Sequence, residues 1–332
     1  MPTLLVTKKM PAELAARIER SLAGRRPRPG ARFAARSTAL LRFGLLFVVA
    51  TVCVSLVSSF RRTKRDTQDG RAALLARLHE EVSSVTERER ETTTRVNAWL
   101  RQLAGKYEGD QIASELTASG ALDRTLSRPL LYIRGPLTGF ESPAQTAVTA
   151  VDSYPDAFTL CLLSPPAERS EKRLRAKARA ARVADGDAMR RTAHVARLHD
   201  ALAASPIFEA AWAERVAYTT SLERLEAMGR ELDRAPLAGA KRAMRASFLL
   251  VVLDEPGDSR VPAELDGERP HEVRVGLVDL ARDKLLLRLR RPVDPSWLSA
   301  ASRAELARDI DACSLALDVR AAVTPGHEAR GD

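Results

Sequence analysis

An α+β domain behind a single membrane-spanning helix is the architecture this sequence predicts, and three observations predict it. Phe43 to Phe60 is a run of 18 residues without a charge, bracketed by Arg42 and Arg61-Arg62. Beyond it, short apolar runs alternate with longer stretches in which apolar residues recur every three or four positions, the strand and helix periods. The charge is also unevenly spread. The 332 residues carry 53 Lys+Arg against 43 Asp+Glu, a net +10, yet from Asp66 onward the count is 39 bases against 41 acids. The excess therefore flanks the apolar run. A near-neutral domain lacks the continuous positive surface that follows phosphates, so no nucleic acid is expected as a partner.

Each element follows in order. Residues 1–42 read as a basic cytoplasmic leader with ten bases and only Glu13 and Glu19 as acids. Within it, Leu14, Ile18 and Leu22 mark a short amphipathic helix, and Gly24 to Arg36 a basic linker. Residues 43–60 are the transmembrane helix: at about 1.5 Å per residue the run gives about 27 Å, and with Ala39 to Leu41 it spans a hydrocarbon core of about 30 Å. A cleaved signal peptide is disfavoured by the 42-residue leader, the long apolar run and the four bases after it, so the segment reads as a signal-anchor. Bases within 20 residues number six on each side, and the leader's net +8 breaks the tie. The N-terminus is expected in the cytoplasm and the C-terminal domain in the periplasm of a bacterial inner membrane. With 45 Arg to 8 Lys and many alanines, the composition resembles that of a GC-rich bacterial genome.

Residues 66–105 read as a helical stalk. Leu75, Leu78, Val82, Val85, Val96, Trp99 and Leu103 keep a 3-4 spacing whose missing members are Glu89 and Thr92, a coiled-coil-like seam over one helix from 71 to 105. Such a stripe must be buried on a twin or on its own domain. With Thr51, Ser55 and Ser59 as small residues in the anchor, the expectation is a parallel homodimer whose seam includes Leu75, Leu78, Val82 and Val85.

Residues 106–320 read as the α+β domain and 321–332 as a disordered tail. Five strands are expected in a mixed or antiparallel sheet: Leu130 to Ile133, Ala157 to Leu163, Phe248 to Leu253, and a hairpin with Val273, Val275 and Leu277 on one arm and Leu285, Leu287 and Leu289 on the other. A helical insertion from Val195 to Leu232 separates the second and third strands, and a last helix runs from an N-cap at Ser302 to Val319.

The chemistry-bearing residues point away from a linear catalytic motif. There is no Gly-rich phosphate loop, nucleophile elbow, Cys-x-x-Cys or His-Glu-x-x-His, and no cofactor is expected. His194 and His199 are five apart, about 140° around a helix, which is a poor metal edge. Asp254, Glu255 and Asp258 surround Pro256-Gly257 and read as a turn, and Asp309 and Asp311 as solvated helix residues. In Arg169 to Arg182, the bases Arg169, Lys172, Arg173, Arg175, Lys177 and Arg179 form a solvated arm or a contact to an anionic surface, such as lipid, a cell-wall polymer or an acidic envelope protein. Cys161 and Cys313 are the only pair available for a disulfide if the domain meets an oxidising compartment. The functional expectation is a non-catalytic binding, sensing or scaffolding domain on the membrane. Its alternatives are an anchored envelope enzyme with a motif-free site near Asp254, Glu255 and His271, and a cytoplasmic scaffold of inverted topology.

Overall fold

The computed structural model describes residues 34–183, 186–256 and 270–324, and the chain divides into two compact units at Asp66 and Thr67. The leader helix expected at Leu14, Ile18 and Leu22, the acid Asp258 and the tail beyond Thr324 lie outside the described residues.

The chain enters helix α1 (Ala34–Ser83) in the first unit. Leu45 to Phe60 expose their side chains all round, with Phe47 74% and Phe60 73% accessible. Among the described residues this is the one helix long and apolar enough to cross a membrane. A helix apolar on every face belongs in a core or a bilayer, because left in water its surface costs about 25 cal/mol per Å².

The second unit is α+β, built on a six-stranded mixed sheet in the order β1-β6-β5-β4-β2-β3. The strands are β1 (Gln111–Ile112), β2 (Leu130–Pro136), β3 (Val195–Arg197), β4 (Phe248–Asp254), β5 (His271–Asp279) and β6 (Lys284–Val293). β4 runs parallel to β2 and antiparallel to β5, and every one of its residues is buried, as its unbroken apolar run requires of a strand covered on both faces. Alternate residues of β2 and β4 feed two cores. Leu130, Tyr132, Phe248, Leu250 and Val252 pack against α7 (Ala157–Leu163), α8 (Glu171–Arg182) and the last helix, α14 (Ala300–Val323). Leu131, Ile133, Leu249, Val251 and Leu253 pack on the other face against α3 (Thr92–Ala104), α6 (Pro143–Asp152), α10 (Leu198–Phe208) and α13 (Leu237–Met244). Leu74 and Leu78 at the end of α1 join Ile207 with Trp212 and Val216 of α11 (Ala210–Tyr218) and Leu225, Met228 and Leu232 of α12 (Leu222–Arg234) in a further helical layer.

Four local expectations are corrected. The last helix is capped three residues earlier than expected, by Ser299, whose Oγ accepts from the Ser302 N–H at 3.3 Å. Ala157 to Leu163 is the helix α7 and not a strand: Asp156 caps it by accepting from the Thr159 N–H at 3.2 Å, and the segment is short and buried enough for its apolar run to suit either form. The single helix expected over 71–105 breaks after Ser83. Thr86 and Glu89 form a reciprocal capping box that starts α2 (Glu87–Arg90), with Thr86 N–H donating to Glu89 Oε2 at 2.7 Å. The helical block begins at Leu198, because Val195 to Arg197 pair in parallel with β2 and form an edge strand. With Gln111–Ile112 pairing at the other edge, the strands number six instead of five.

Candidate functional site

The period-two alternation that buries Leu130, Tyr132, Leu250 and Val252 continues one step further, to Arg134 and Asp254 at the carboxyl ends of the parallel strands. Crevices at such strand ends commonly serve open sheets as ligand sites. Here they are filled by a paired cluster. Arg134 Nη2 donates to Asp254 Oδ1 at 2.9 Å and its Nε to Oδ2 at 3.1 Å, a bidentate pair whose side chains are 8% and 2% exposed. Arg134 Nη1 also reaches Asp156 Oδ2 at 3.3 Å, so the residue that caps α7 ties that helix to the strand. His271, the first residue of β5, sets Nε2 3.6 Å from Asp254 Oδ1. Burial alone would raise the Asp254 carboxyl, but Arg134 and then His271 hold it at about 2. Burial, with Asp156 adding to it, pushes the Tyr132 phenol well above its ordinary range.

Asp311 of α14 completes this face, and its position is a correction. It is 3% exposed instead of solvated, and its Oδ2 accepts no hydrogen bond. Burial lifts its pKa to about 6, with Trp297, His271 and Arg134 pulling downward and Asp294 upward. Sequence reasoning passed over Arg134 and Asp156 and placed Asp311 in solvent. The first two carry signals that could have found them: a charge in phase with an apolar strand, and an Asp three residues before a Thr.

The residues named for an anchored enzyme are divided by the sheet. Asp254 and His271 share one face, whereas Glu255, one residue on, turns to the other. There it accepts from Arg274 Nε and from Arg290 Nη2, the latter at 2.5 Å. The same arginines, with Arg288, surround the Tyr107 ring at 5.4 to 5.9 Å from its centroid, and Arg274 Nη1 donates to the Leu103 carbonyl at 3.2 Å. Both carboxylates are thus taken up by guanidinium groups, Asp254 by one and Glu255 by two. That arrangement suits holding elements together. His194 Nε2–H donates to the Leu126 carbonyl at 2.7 Å, and among the described residues no three His, Cys, Asp or Glu side chains group as metal ligands.

The remaining sequence-selected residues fall on α7, α8, α14 and the end of α1. Cys161 of α7 and Cys313 of α14 form a disulfide, with Cα atoms 5.2 Å apart and 152 positions between them, while Cys53 in the apolar stretch is free. α8 lies along α14 with Leu174 and Ala178 buried beneath it. Arg169 pairs with Asp318 and donates to Ser314 Oγ at 2.7 Å, Arg175 and Arg179 both reach Glu305 at 3.4 Å, and Arg182 reaches Asp309 at 2.5 Å. Lys177 donates to Ser164 Oγ at 3.3 Å, and the exposed Lys172 and Arg173 have no ion-pair partner among the described residues. Leu78 and Val85 of the seam are buried, and Leu75 and Val82 partly buried, against helices of the same chain: Trp212, Leu225 and Met228 for one group, Ala204, Phe208 and Met244 for the other.

No protein-family model matches this chain, and neither does any curated protein or any solved structure.

Proposed function

We propose that this is a single-pass bacterial inner-membrane protein whose domain from Thr67 stands on the periplasmic side and works by binding or scaffolding. The observation that carries the reading is the contrast between its cysteines: Cys161 and Cys313 are joined across the α7–α14 contact, whereas Cys53 lies in the apolar helix. Disulfides persist in exported compartments and are rare in the cytosol. The leader's net +8 supports the same orientation. Non-catalytic action is supported by the buried cluster itself, in which Arg134, Asp254 and Asp156 satisfy one another. The bilayer is the partner the helix implies. An envelope protein or cell-wall polymer is the ligand class proposed for the domain, and a twin subunit would meet it through surfaces other than the buried Leu78 and Val85.

The test is thiol trapping in native membranes. Cells are quenched in acid, free thiols are alkylated, and non-reduced peptides are mapped. The reading expects a Cys161–Cys313 cross-linked peptide and an alkylated Cys53, in membranes that retain the protein through alkaline carbonate. Alkylated Cys161 and Cys313 would refute the exported orientation.

A further inference from the structure

We propose that the outward face of α8, together with Val183 and Met189, rests on the anionic surface of the bilayer in which the same chain is anchored. This rests on the membrane reading of α1 and not on which side the domain occupies. Leu174 and Ala178 fix the inward side of α8, so the residues about half a turn away, Lys172, Ala176, Arg179 and Val183, make the outward row at positions i, i+4, i+7 and i+11. The single acid of the helix, Glu171, is turned aside to accept from Ser299 N–H at 3.3 Å. The outward row thus carries two bases, one alanine and one valine and no carboxylate.

Charge balance singles out the same segment of the chain. Residues 169–191 hold nine bases and three acids, within a domain that has slightly more acids than bases. Glu305, Asp309 and Asp318 of α14 compensate three of those positive charges and leave an excess of three. The same segment carries two large exposed apolar side chains: Val183, 75% exposed at the end of α8, and Met189, 60% exposed on α9 (Gly186–Thr192), a helix that packs on α7 and carries Arg190 and the Asp187 that pairs with it. Bases flanking protruding apolar side chains are the composition of a surface that settles at an anionic interface, the bases attracted by headgroups and the apolar groups entering the acyl boundary. An open cleft of about 570 Å³ along α8, lined by Lys172, Arg175, Ala176 and Arg179 with Glu171 at its edge, has room for a phosphate headgroup. The contact need not be strong alone, because anchoring by α1 makes it intramolecular.

The experiment uses the full chain with Cys53→Ser, reconstituted in vesicles that carry nitroxide-labelled lipid, with an environment-sensitive fluorophore on Met189→Cys. A second preparation carries it on Tyr218→Cys, an 82% exposed position of the other helical layer. In vesicles with one-third phosphatidylglycerol the Met189 probe should be quenched several-fold more than the Tyr218 probe, and in pure phosphatidylcholine the difference should vanish. Lys172→Glu with Arg173→Glu should lower the quenched fraction about tenfold. Both residues are exposed and outside any described ion pair, and an unchanged melting temperature and intact Cys161–Cys313 peptide would show that the variant folds. Equal quenching at the two positions, or equal quenching in both vesicles, would overturn the proposal. So would a Met189 probe that ignores anionic vesicles but responds to soluble polyglutamate, which would assign the face to an acidic polymer instead.

Discussion

Replacing Asp311 by Asn should stabilise the protein at pH 8 and change it little at pH 4. Asp311 is 3% exposed with an oxygen that accepts no hydrogen bond, and it feels the charges of His271 of β5, Arg134 of β2 and Asp294, with Trp297 of the segment leading into α14 as its hydrogen-bond partner. Its pKa is raised to about 6. A carboxyl raised on folding contributes stability that is fully present below its unfolded value and is lost as pH rises through the folded one. Between about pH 4 and 7 that loss, at 1.36 kcal/mol per pH unit over about two units, comes to about 3 kcal/mol. Asn keeps the shape and cannot ionise, so the variant avoids the loss. At about 2 to 4 °C per kcal/mol for a domain of this size, the variant should melt about 6 to 12 °C above the parent at pH 8. The assay is thermal unfolding of both proteins in the same detergent at pH 4, 6 and 8, reading the difference so that other titrations cancel. A variant no more stable than the parent at pH 8, or displaced equally at all three pH values, would show that the ionised carboxylate is well held.

Further outcomes follow from the same contacts. Arg134→Met should cost about 3 to 5 kcal/mol at pH 7 by stranding Asp254 and Asp156, and the cost should shrink as pH falls towards about 2, where Asp254 protonates in the fold. Chemical denaturation at pH 7 and pH 3 measures both. Cys161→Ser with Cys313→Ser opens a loop of 152 residues and should lower stability by up to about 5 kcal/mol in the chain-entropy model, read from denaturation midpoints with and without reductant on the parent. Leu78→Ala should cost about 2 to 5 kcal/mol through the cavity it leaves beside Trp212 and Leu225, without altering the molar mass seen by light scattering.

How far the fold was readable depends on whether a signal was absolute or relative. The charge-free run needs no partner to be interpreted, and α1 is correspondingly exposed from Leu45 to Phe60. β4 and the β5–β6 hairpin were legible because period two with a central all-apolar strand has few other solutions. α7 was not, since a seven-residue run with six apolar residues fits a buried strand or a buried helix equally. Only the Asp156 cap decides between them. The apolar stripe after the anchor announced that it would be buried but not on what: up to Val85 it packs on helices that begin more than a hundred residues later, at Leu198, and from Val96 it packs on the sheet. In the polar cluster, Asp254 and His271 were singled out. Asp311 was misplaced because α14 is buried on several sides, and opposite faces of a helix then no longer separate core from solvent.

The central claim, an exported domain behind an uncleaved membrane helix, is tested most directly by reporters fused beyond Val323. A reporter that functions only after export should be active, a reporter that functions only in the cytoplasm should be silent, and the fusion should stay in the membrane through alkaline carbonate. The opposite pattern, an active cytoplasmic reporter with a silent exported one, or release of the fusion by carbonate, would contradict it.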